Sequence, residues 1–585
     1  MINEILKKRI EEWTNPPFDS ETIKEIESLL LLKDEKELND RFYTTLEFGT
    51  GGLRGILGAG TNRMNIYTVG MATQGLANYI INKGCQDKGV VIACDSRKMS
   101  DIFSKEAASI LAANGIRVYI FDEITPTPLC SFAIRELSAV SGIVITASHN
   151  PPEYNGFKAY WDDGGQVIPP FDAEIIEEVK RIDSISKIQK IDYKAGLESE
   201  IIRIIGDEIR MSYTDKLEKA AFRTRGKSDI KIVYTPLHGT GYKILPDTLS
   251  YFGFTNLSLV KEQSKPDGNF PTVIYPNPEE KEALLLSLDL AQKIDADIIM
   301  ATDPDADRMG IGFKDKDGNY QLINGNQIGT MLEYYILTRL QEENRLPLNG
   351  VIIKTIVTTD LQEDIAKSFN CHIENVLTGF KWIAMKMKEY DDSGDFRFIF
   401  GGEESYGYLP VDFVRDKDAI SACYFFAEMT DWLYERGNTL NDFLNEIYSK
   451  YMLYLEDLHS LTLKGIEGIE QIKSIMKGFR NNHPKEFAGI NVLKIADIQE
   501  LKLIDIQNGK EESIEGLPKS NVLQFFLTDG SKLTMRPSGT EPKIKFYFSV
   551  CETIKPEDAE KVKLQLKKRI TILKDDLLKK IQVNN

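Results

Sequence analysis

A serine, a histidine and a lysine lie within one polar segment of thirteen residues, Thr146–Lys158. The segment follows Gly142–Ile145, a short apolar, β-branched run that predicts a buried strand. Open α/β sheets place ligand chemistry in polar loops at the carboxyl ends of such strands. The hydroxyl, the imidazole and the ammonium are therefore candidates for ligand chemistry: Ser148, His149 and Lys158. The alternative is a stiff turn in which the serine only bonds backbone, and local physics leaves both interpretations open.

Carboxylates occupy every second position after Ile298–Thr302, which predicts another buried strand: Asp303, Asp305 and Asp307. They converge if the loop curls around one point, and such a hard, oxygen-rich site suits Mg²⁺ or another small divalent cation. An EF-hand opens with the same spacing, but Arg308 stands at its required glycine and Lys314 at its closing glutamate. A solvated acidic turn is the remaining alternative.

Two further segments offer groups for an anionic, hydroxylated ligand. In Phe398–Gly407 a strand pattern leads into a glycine-rich loop, where Glu403 and Ser405 stand two residues apart and could point the same way. The segment Met535–Lys543 offers a guanidinium, two hydroxyls and a glycine amide in one turn, which is a plausible anion nest. An ordinary surface turn is the alternative for each segment.

The elements that must position these loops alternate between strands and helices, as in α/β domains. Three strand patterns that end in a polar turn open similar units: Val90–Asp95, Lys231–Pro236 and Val351–Ile356. In each unit a second strand ends in a richer polar loop, at Ser148, Asp303 and Glu403. The spacings differ, so the pattern predicts three diverged copies of one α/β domain and not a strict solenoid.

The two ends of the sequence depart from this pattern. Residues 1 to about 45 predict two amphipathic helices that lead into Glu47–Gly55. Roughly the last 125 residues predict a separate unit, on domain size alone. Its strands are predicted at Leu523–Leu527 and Lys545–Val550 around a glycine-rich turn, followed by a basic helix. Asp317–Gly318 and Asp529–Gly530 are hairpin signals.

Composition limits the partners and the compartment. The 585 residues carry a net charge of −17, from 72 basic and 89 acidic residues, which argues against nucleic-acid or anionic-membrane binding. There is no apolar run of about 18 residues and no signal-peptide core, and six scattered cysteines form no CxxC pair, so we expect a cytoplasmic protein. An anionic substrate would need local cations, and we expect these in the polar loops: Arg54, Lys158, Arg308, Lys381, Lys417, Arg536 and Lys543.

The segment Thr146–Lys158 resembles the phosphoserine loop of the α-D-phosphohexomutases, the family of phosphoglucomutases and phosphomannomutases. Its serine, histidine, asparagine, proline pair and distal lysine fall in the family's order. The resemblance covers nearly the whole chain and implies three similar α/β domains with mixed sheets plus a smaller C-terminal α+β domain around a central cleft. The implied domains carry the phosphoserine loop, the metal loop, the sugar loop and the distal-phosphate loop: residues 1–205, 206–322, 323–458 and 459–585.

The resemblance also implies a role for each candidate residue. The serine would carry the exchanged phosphoryl group within a catalytic set: Ser148, His149, Lys158, Arg54, Arg308 and Lys417. The phosphoserine oxygen would complete a metal site: Ser148, Asp303, Asp305 and Asp307. The remaining residues would bind the sugar and the phosphate that is not transferred: Glu403, Ser405, Gly379, Lys381, Arg536, Ser538, Gly539 and Thr540.

The implied reaction is the reversible interconversion of α-D-glucose 1-phosphate and glucose 6-phosphate, with Mg²⁺ as cofactor and glucose 1,6-bisphosphate as intermediate and activator. Gly407 stands where some phosphomannomutases have a histidine, and Glu47–Arg54 and Trp161–Gly165 resemble the branch of bacterial α-phosphoglucomutases and animal phosphopentomutases. Mannose or ribose phosphate as substrate, or sugar-bisphosphate synthesis, stays open, as does the oligomeric state. A serine-dependent metallo-phosphatase is less favoured because the five histidines are dispersed, and a phosphorylation-regulated sensor because the acid/base and metal candidates are intact.

Overall fold

The structure is a computed structural model that describes residues 4–46, 51–315, 317–463, 465–538, 542–555 and 558–583. The first described elements are three helices: α1 (Glu4–Glu12), α2 (Ser20–Leu31) and α3 (Glu35–Phe42). They pack around the buried side chains of Trp13, Ile26 and Phe42. Among the described helices, none has both the length and the apolarity needed to cross a bilayer.

The prediction of two helices in this region is wrong. Asp19 and Asp34 each accept hydrogen bonds from backbone amides at the start of a helix, so α2 and α3 begin separately. Lys33, between them, has a left-handed φ of +53°, which a continuing helix does not allow. Asp19 and Asp34 are typical helix-capping residues, but the amphipathic pattern continues across both helices and does not indicate that one ends and another begins.

The first α/β segment holds a six-stranded mixed sheet in the order β1-β5-β4-β2-β3-β6. Strands β4, β2, β3 and β6 are parallel, whereas β5 and β1 join antiparallel at one side. Strand β4 is buried along its whole length, as expected for a central parallel strand covered on both faces. The elements in chain order are β1 (Gly52–Ile56), α4 (Ile66–Asn82), β2 (Val90–Cys94), α5 (Ser100–Ala113), β3 (Val118–Phe121), α6 (Thr127–Glu136), β4 (Ser141–Ile145), β5 (Tyr154–Trp161), α7 (Phe171–Lys180), α8 (Tyr193–Glu198) and β6 (Ile202–Ile205).

The second α/β segment holds a five-stranded mixed sheet in the order β11-β10-β9-β7-β8, with β9, β7 and β8 parallel. Strand β9 is the predicted buried strand before the carboxylates, and it is buried throughout. The predicted hairpin at Asp317–Gly318 connects β10 to β11, with Gly318 at a φ of +84°. The elements are α9 (Asp207–Ala220), β7 (Ile232–Thr235), α10 (Gly241–Tyr251), β8 (Leu257–Leu259), α11 (Leu285–Ile294), β9 (Ile298–Thr302), β10 (Met309–Lys314) and β11 (Tyr320–Ile323).

The third α/β segment contains three parallel strands in the order β13-β12-β14. Strand β14 ends at Glu403, the predicted sugar-binding residue. The elements are α12 (Gly325–Glu342), β12 (Gly350–Thr355), α13 (Leu361–Ser368), β13 (His372–Val376), α14 (Phe380–Ser393), β14 (Arg397–Glu403), β15 (Gly407–Leu409), α15 (Ala419–Glu435) and α16 (Leu440–Lys450).

The C-terminal segment is built on an antiparallel sheet in the order β16-β23-β22-β21-β18-β19-β20, with β17 paired to β18. The hairpin at Asp529–Gly530 and the basic C-terminal helix were both predicted and are confirmed. The strand β22 between the two predicted strands was missed. The elements are β16 (Leu453–Thr462), α17 (Gly465–Asn481), β17 (Glu486–Phe487), β18 (Ile490–Asp497), β19 (Lys502–Asp505), β20 (Glu511–Ser513), β21 (Leu523–Leu527), β22 (Lys532–Pro537), β23 (Lys543–Glu552) and α18 (Ala559–Val583).

One parallel arrangement recurs in the three α/β segments. The strands lie in the orders β4-β2-β3, β9-β7-β8 and β14-β12-β13, so the opening strand is always central. In each segment the strand beside it leads into a predicted functional loop, at Ser148, Asp303 and Glu403. The predicted fold class, three similar α/β domains with mixed sheets and a smaller C-terminal α+β domain, is confirmed.

The described chain falls into two units. Unit 1 comprises Met1–Asn324, Ala384–Gly394 and Ser405–Asp431, and unit 2 comprises Gly325–Ile383, Asp395–Glu404 and Trp432–Asn585. The division into four domains stays a prediction. Its boundaries after residues 322 and 458 fall inside β11 and β16.

Close packing of α4 on α7 gives a stability prediction. A Cβ atom at Gly75 would lie 2.3 Å from Val179 Cγ2 and 2.8 Å from the Val179 Cα, which cannot move without the backbone. We expect Gly75→Ala to lower the free energy of unfolding by about 1–3 kcal/mol. The control is Gly70→Ala on the same helix, whose Cβ would have side-chain methyl groups as its nearest neighbours, first Cδ1 of Ile188 at 3.1 Å. Urea unfolding followed by fluorescence checks this, and equal midpoints for the two variants would contradict it.

Candidate active site and metal centre

Ser148 lies in the loop after β4 and faces the carboxylate loop of the second sheet. Its Oγ donates a hydrogen bond to Asp303 Oδ2 at 2.9 Å and lies 3.1 Å from Nδ1 of His149. Its amide donates to Oγ1 of Thr146 at 2.8 Å, and its φ is +52°. The side chain is 4% exposed. The serine is thus held by groups on both sides in a backbone conformation that is uncommon for a residue other than glycine.

The three predicted carboxylates converge after β9. One ligand oxygen from each of Asp303, Asp305 and Asp307 lies within 4.8 Å of the others, and all three residues are buried. Backbone amides of Asp307 and Arg308 both donate to Asp303 Oδ1 at 3.0 Å, which curls the loop back on itself. This is the curl that the alternating spacing predicted.

Two lysines from other elements approach these carboxylates. Lys158 Nζ, on β5, lies 2.7 Å from Asp305 Oδ2 and 3.2 Å from Asp307 Oδ2. Lys417 Nζ lies 3.1 Å from the same Asp307 oxygen and 3.3 Å from Asp416 Oδ1. Both predicted lysines therefore belong to the carboxylate cluster.

Burial and these charges set the ionisation of the cluster. Burial, reinforced by Asp305 and Asp307, raises the pKa of Asp303 well above its ordinary value. Burial also opposes the charge on Asp305, but Lys158 and hydrogen bonds hold the pKa of Asp305 below its ordinary value. Burial likewise opposes the charge on Lys158, yet the carboxylates of Asp305 and Asp307 hold its pKa above the ordinary value. Lys158 is therefore a cation in this arrangement.

The donor set fits a small divalent cation. Oδ1 of Asp305 and Oδ1 of Asp307 are buried, and neither has a hydrogen-bond partner among the described residues. A buried carboxylate oxygen without a partner is costly unless a cation approaches it. Three carboxylates and a serine oxygen make a hard, all-oxygen set of the kind that Mg²⁺ and Ca²⁺ take. The cluster is a possible metal site.

The other predicted residues of unit 1 surround this cluster. Arg308 pairs with Glu279, with 2.5 Å between Nη1 and Oε1. Arg54 is exposed on β1, and its Nη1 donates to Asn150 Oδ1 at 3.4 Å. Burial, and after it the charges of Arg308 and Arg54, hold the pKa of His149 well below its ordinary value, so the imidazole is neutral at pH 7. A neutral ring nitrogen beside Ser148 can exchange hydrogen bonds with it in either tautomer.

In unit 2 the structure brings Glu403 and Gly379 together. Glu403 Oε1 accepts a hydrogen bond of 2.8 Å from the Gly379 amide, and Gly379 has a φ of +114°, which favours glycine. Lys381 Nζ lies 5.1 Å from the centre of the Trp382 ring. Ser405 belongs to unit 1, in the turn after β14. The prediction that Glu403 and Ser405 point the same way stays a prediction.

The predicted distal-phosphate residues are partly described. Arg536 lies on β22, opposite Lys545 of β23, and not in a turn as predicted. Burial raises the pKa of Tyr547, and the Arg536 guanidinium, bonded to its hydroxyl, opposes that shift. The Ser538 amide donates to the Lys543 carbonyl at 2.7 Å. Gly539 and Thr540 lie outside the described residues.

The expectation that the cations stand in loops is wrong for several of them. Arg54, Lys158, Arg536 and Lys543 lie on strands, and Lys381 lies on the helix α14. The polar segment that starts at Thr146 becomes strand β5 at Tyr154. Strand positions hold a long side chain in a narrower range of directions than loops do, which suits groups that must meet a fixed anion.

Sequence reasoning missed Thr127 and Arg97. Thr127 donates from Oγ1 to Asp305 Oδ2 at 2.9 Å and from its amide to the Asp305 carbonyl at 2.9 Å. Arg97 contacts the backbone of the Ser148 loop. Both follow parallel strands, β3 and β2, at the same sheet edge as Ser148. That position was the available signal, and neither residue carries a motif that marks it.

Comparison with protein families matches three successive regions of the chain. Residues 45–186, 211–318 and 324–451 match the alpha/beta/alpha domains I, II and III of phosphoglucomutase/phosphomannomutase. The chain belongs to the phosphoglucomutase/phosphomannomutase family. The predicted resemblance to the α-D-phosphohexomutases is thereby confirmed.

Relatives of this family member match over most of their length. A protein named phosphoglucomutase from Staphylococcus saprophyticus is 39% identical over 516 residues, 88% of this chain and 92% of the relative. A phosphoglucomutase from Staphylococcus aureus strain MRSA252 is 38% identical over 88% of this chain and 91% of the relative.

Solved structures agree with the fold of this family member. A phosphoglucomutase/phosphomannomutase family protein from Burkholderia thailandensis aligns with a TM-score of 0.65 at 19% identity, over 92% of this chain and 98% of that one. The open form of the Paramecium phosphoprotein parafusin aligns with a TM-score of 0.62 at 17% identity, over 90% of this chain and 95% of that one.

The carboxylate cluster gives a metal-binding prediction. Asp305→Asn keeps the side-chain volume but removes one charge from the cluster, so we expect divalent-cation affinity to fall by about 10-fold or more. Titration with Mn²⁺, followed by electron paramagnetic resonance of the free ion, measures this. The control is Asp295→Asn, which removes an exposed carboxylate paired with Lys314. Unchanged Mn²⁺ affinity in single Asn variants of all three aspartates would rule the site out.

Proposed function

We propose that this chain interconverts α-D-glucose 1-phosphate and glucose 6-phosphate through a phosphoserine at Ser148 and a bound glucose 1,6-bisphosphate. The observation that carries the proposal is the hydrogen bond of 2.9 Å from Ser148 Oγ to Asp303, at the edge of a buried three-carboxylate cluster. Relatives named phosphoglucomutase at 38–39% identity support the same reaction. The enzyme is then an intramolecular phosphotransferase of the isomerase class.

The residues of unit 1 divide the work of phosphoryl transfer. In the first half-reaction a sugar hydroxyl oxygen bonds to phosphorus as the bond from phosphorus to Ser148 Oγ breaks; the hydroxyl proton leaves the sugar and a proton restores the Ser148 hydroxyl, so no net proton is gained or lost. The second half-reaction returns the other phosphate to Ser148. Lys158, a buried cation near Asp305 and Asp307, is our first candidate for the group that donates the proton to Ser148 Oγ and then receives the proton of the sugar hydroxyl, with His149 and Lys417 as alternatives.

Mg²⁺ fits the cluster as cofactor, held by Asp303, Asp305, Asp307 and an oxygen on Ser148, where it would neutralise phosphoryl oxygens as a Lewis acid. Arg308 adds a planar fork suited to a phosphate oxygen, in competition with Glu279. We assign Arg54 to the same phosphate, and its contact with Asn150 of the Ser148 loop supports this.

Binding of the sugar and the distal phosphate falls to the remaining residues. We assign sugar hydroxyls to Glu403 and Ser405, with the Gly379–Lys381 loop beside Glu403. The phosphate that is not transferred is assigned to Arg536, Ser538, Gly539 and Thr540. In either orientation of the substrate, the phosphate that is not transferred would bind these residues, and a mutase therefore needs them. The four-domain division and the central cleft are part of this proposal.

Gly407 stands where some phosphomannomutases have a histidine, and this supports glucose phosphate over mannose phosphate as the substrate. A Cβ atom at this position would lie 2.1 Å from Cδ of Lys417, so a histidine does not fit while Lys417 keeps its place beside Asp307. Measurement of kcat/KM on glucose-, mannose- and ribose-1-phosphate separates the proposal from the open alternatives. These are mannose or ribose phosphate as substrate and bisphosphate synthesis. Small sugar phosphates as partners, without nucleic acid or membrane, and a cytoplasmic location stay predictions, and the oligomeric state stays open.

Ser148→Ala tests the mechanism. We expect the variant to fold, because the side chain gives up only its hydrogen bonds with Asp303 and His149, and to lose the mutase rate by orders of magnitude, because the proposed phosphoryl carrier is removed. Intact-mass analysis of the active wild type should show a phosphorylated fraction that maps to Ser148. Ser141→Ala is the control, since this buried serine bonds only the Tyr160 carbonyl. Near-wild-type activity in Ser148→Ala would contradict the mechanism.

Arg536→Ala separates a mutase from a phosphatase. Each monophosphate would bind in turn at the distal-phosphate residues around Arg536. We therefore expect kcat/KM to fall by a similar factor in both reaction directions, with bisphosphate dissociating before its second transfer. A coupled assay for isomer formation, run beside an assay for bisphosphate and free phosphate, measures this. Arg569→Ala, which removes a guanidinium paired with Glu552, is the control. A loss confined to one direction, with normal binding of both monophosphates, would remove Arg536 from the distal site.

A further inference from the structure

The guanidinium of Arg97 gathers four carbonyl groups of the Ser148 loop. Nη1 donates to the carbonyls of Pro151 at 2.8 Å and Tyr154 at 3.1 Å. Nη2 donates to the carbonyl of Ser148 at 2.5 Å and to that of Asn150. Arg97 is only 3% exposed. One buried side chain therefore closes the backbone of the loop from the serine to the start of β5.

Arg97 is itself fixed on several sides. Its Nε lies 3.3 Å from Asp95 Oδ2, and neither side chain is exposed. The other carboxylate oxygen, Asp95 Oδ1, accepts from the Arg97 amide at 2.9 Å and from Ser100 Oγ at 2.8 Å. The guanidinium also stacks over the Phe270 ring at 4.9 Å. These contacts restrict the orientation of the Arg97 guanidinium.

The Ser148 backbone needs such support. With a φ of +52°, a residue with a Cβ stays in the left-handed region only when its surroundings fix it there. The Ser148 carbonyl is buried and the other three are half-buried. Buried polar groups that lose their donor carry a desolvation cost, so the loop would rearrange if the acceptors were released. The direction of Ser148 Oγ toward Asp303 depends on this backbone conformation.

The backbone around Arg97 also contacts a segment that supports the carboxylate loop. Arg97 forms an isolated bridge with Gly268, where a Cβ atom would lie 2.5 Å from the Lys98 amide. The neighbouring Asp267 amide donates to the His238 carbonyl at 3.2 Å. From the same turn as His238, the Thr240 amide donates to the carbonyl of Pro304, within the carboxylate loop, at 2.8 Å. The loops of Ser148 and Asp303 thus share one supporting network.

We propose that Arg97 is a positioning residue for phosphoryl transfer, which sets the Ser148 backbone so that Oγ stands beside the carboxylate cluster. The proposal rests on the function proposed above. Arg97 is buried, its Nη1 and Nη2 donors serve backbone carbonyls, and its Nε lies 3.3 Å from Asp95 Oδ2, so we expect it not to bind substrate. Its effect is expected on the transfer step and not on sugar-phosphate binding.

Arg97→Lys tests this. An ammonium is a point charge with three donors on a flexible stem and cannot reproduce a planar fork that serves four acceptors. A displacement of about 1 Å at a reacting atom costs on the order of 100-fold in rate. We therefore expect kcat to fall by about 10- to 100-fold, with KM for glucose 1-phosphate unchanged within about two-fold. Single-turnover transfer from glucose 1,6-bisphosphate to dephosphorylated enzyme, followed by intact mass, should slow by the same factor as kcat.

The matched control is Arg63→Lys. Arg63 is also 3% exposed, donates to backbone carbonyls and pairs with Asp40, but it serves the N-terminal helices. We expect it to lower the thermal midpoint while leaving the single-turnover rate of the folded enzyme unchanged. Asp95→Asn keeps Arg97 but removes its counter-charge, so we expect this variant to slow the transfer as well. It tests the proposal if Arg97→Lys does not fold.

Two results would overturn the proposal. One is equal single-turnover rates for wild type and Arg97→Lys, or for wild type and Asp95→Asn, at matched folded fraction. The other is a raised KM with an unchanged kcat, which would make Arg97 a binding residue. A wild-type enzyme that takes up no phosphate on Ser148 would instead overturn the proposed function, so the two failures are distinguishable.

Discussion

Three carboxylates buried within 4.8 Å of one another impose the main electrostatic constraint on unit 1. Such a cluster is unstable unless cations or strong donors reach it, since burial penalises each charge and the charges repel. The chain meets this demand from distant elements: Lys158 on β5, Lys417 after β15 and Thr127 at the start of α6. The packing of the first sheet on the second is therefore tied to the same atoms that would bind the metal.

Repetition of one β-α-β arrangement positions the candidate catalytic and metal-binding residues. Parallel strands bring their carboxyl ends to a common edge, so Ser148 and Asp303 occupy equivalent positions in two copies of the unit. Glycines then allow the loops to pack closely. A Cβ atom at Gly239 would lie 2.3 Å from the Pro304 Cα, and one at Gly156 would lie 2.4 Å from the Thr146 carbonyl oxygen. The second-sheet loop at Gly239 and the Ser148 loop depend on these approaches.

The sequence predicted what local patterns encode and missed what depends on distant partners. Buried strands β4 and β9, the hairpin at Asp529–Gly530 and the convergence of the aspartates follow from runs of adjacent residues. Neither the local patterns nor the resemblance predicted that Lys158 pairs with Asp305, 147 residues away. The role of Arg97 could not be predicted, because its partners are backbone carbonyls, which every sequence has. Strand β22 was missed because its polar alternation blends into the turn that follows it.

The charge balance of the cluster links phosphorylation of Ser148 to metal binding. Three cations, Lys158, Lys417 and Arg308, lie beside the three aspartates, but Lys417 also contacts Asp416 and Arg308 is already paired with Glu279. A phosphate on Ser148 adds about −1.5 to −2 charges, which these groups do not balance. Under the proposed function, a bound divalent cation would supply the missing charge at the oxygens of Asp305 and Asp307 that have no donor among the described residues. Because coupling between two sites is reciprocal, the phosphate would raise the affinity for the metal by the same factor as the metal would stabilise the phosphoserine. A protein with a net charge of −17 can then hold a dianion in its interior without a large positive surface.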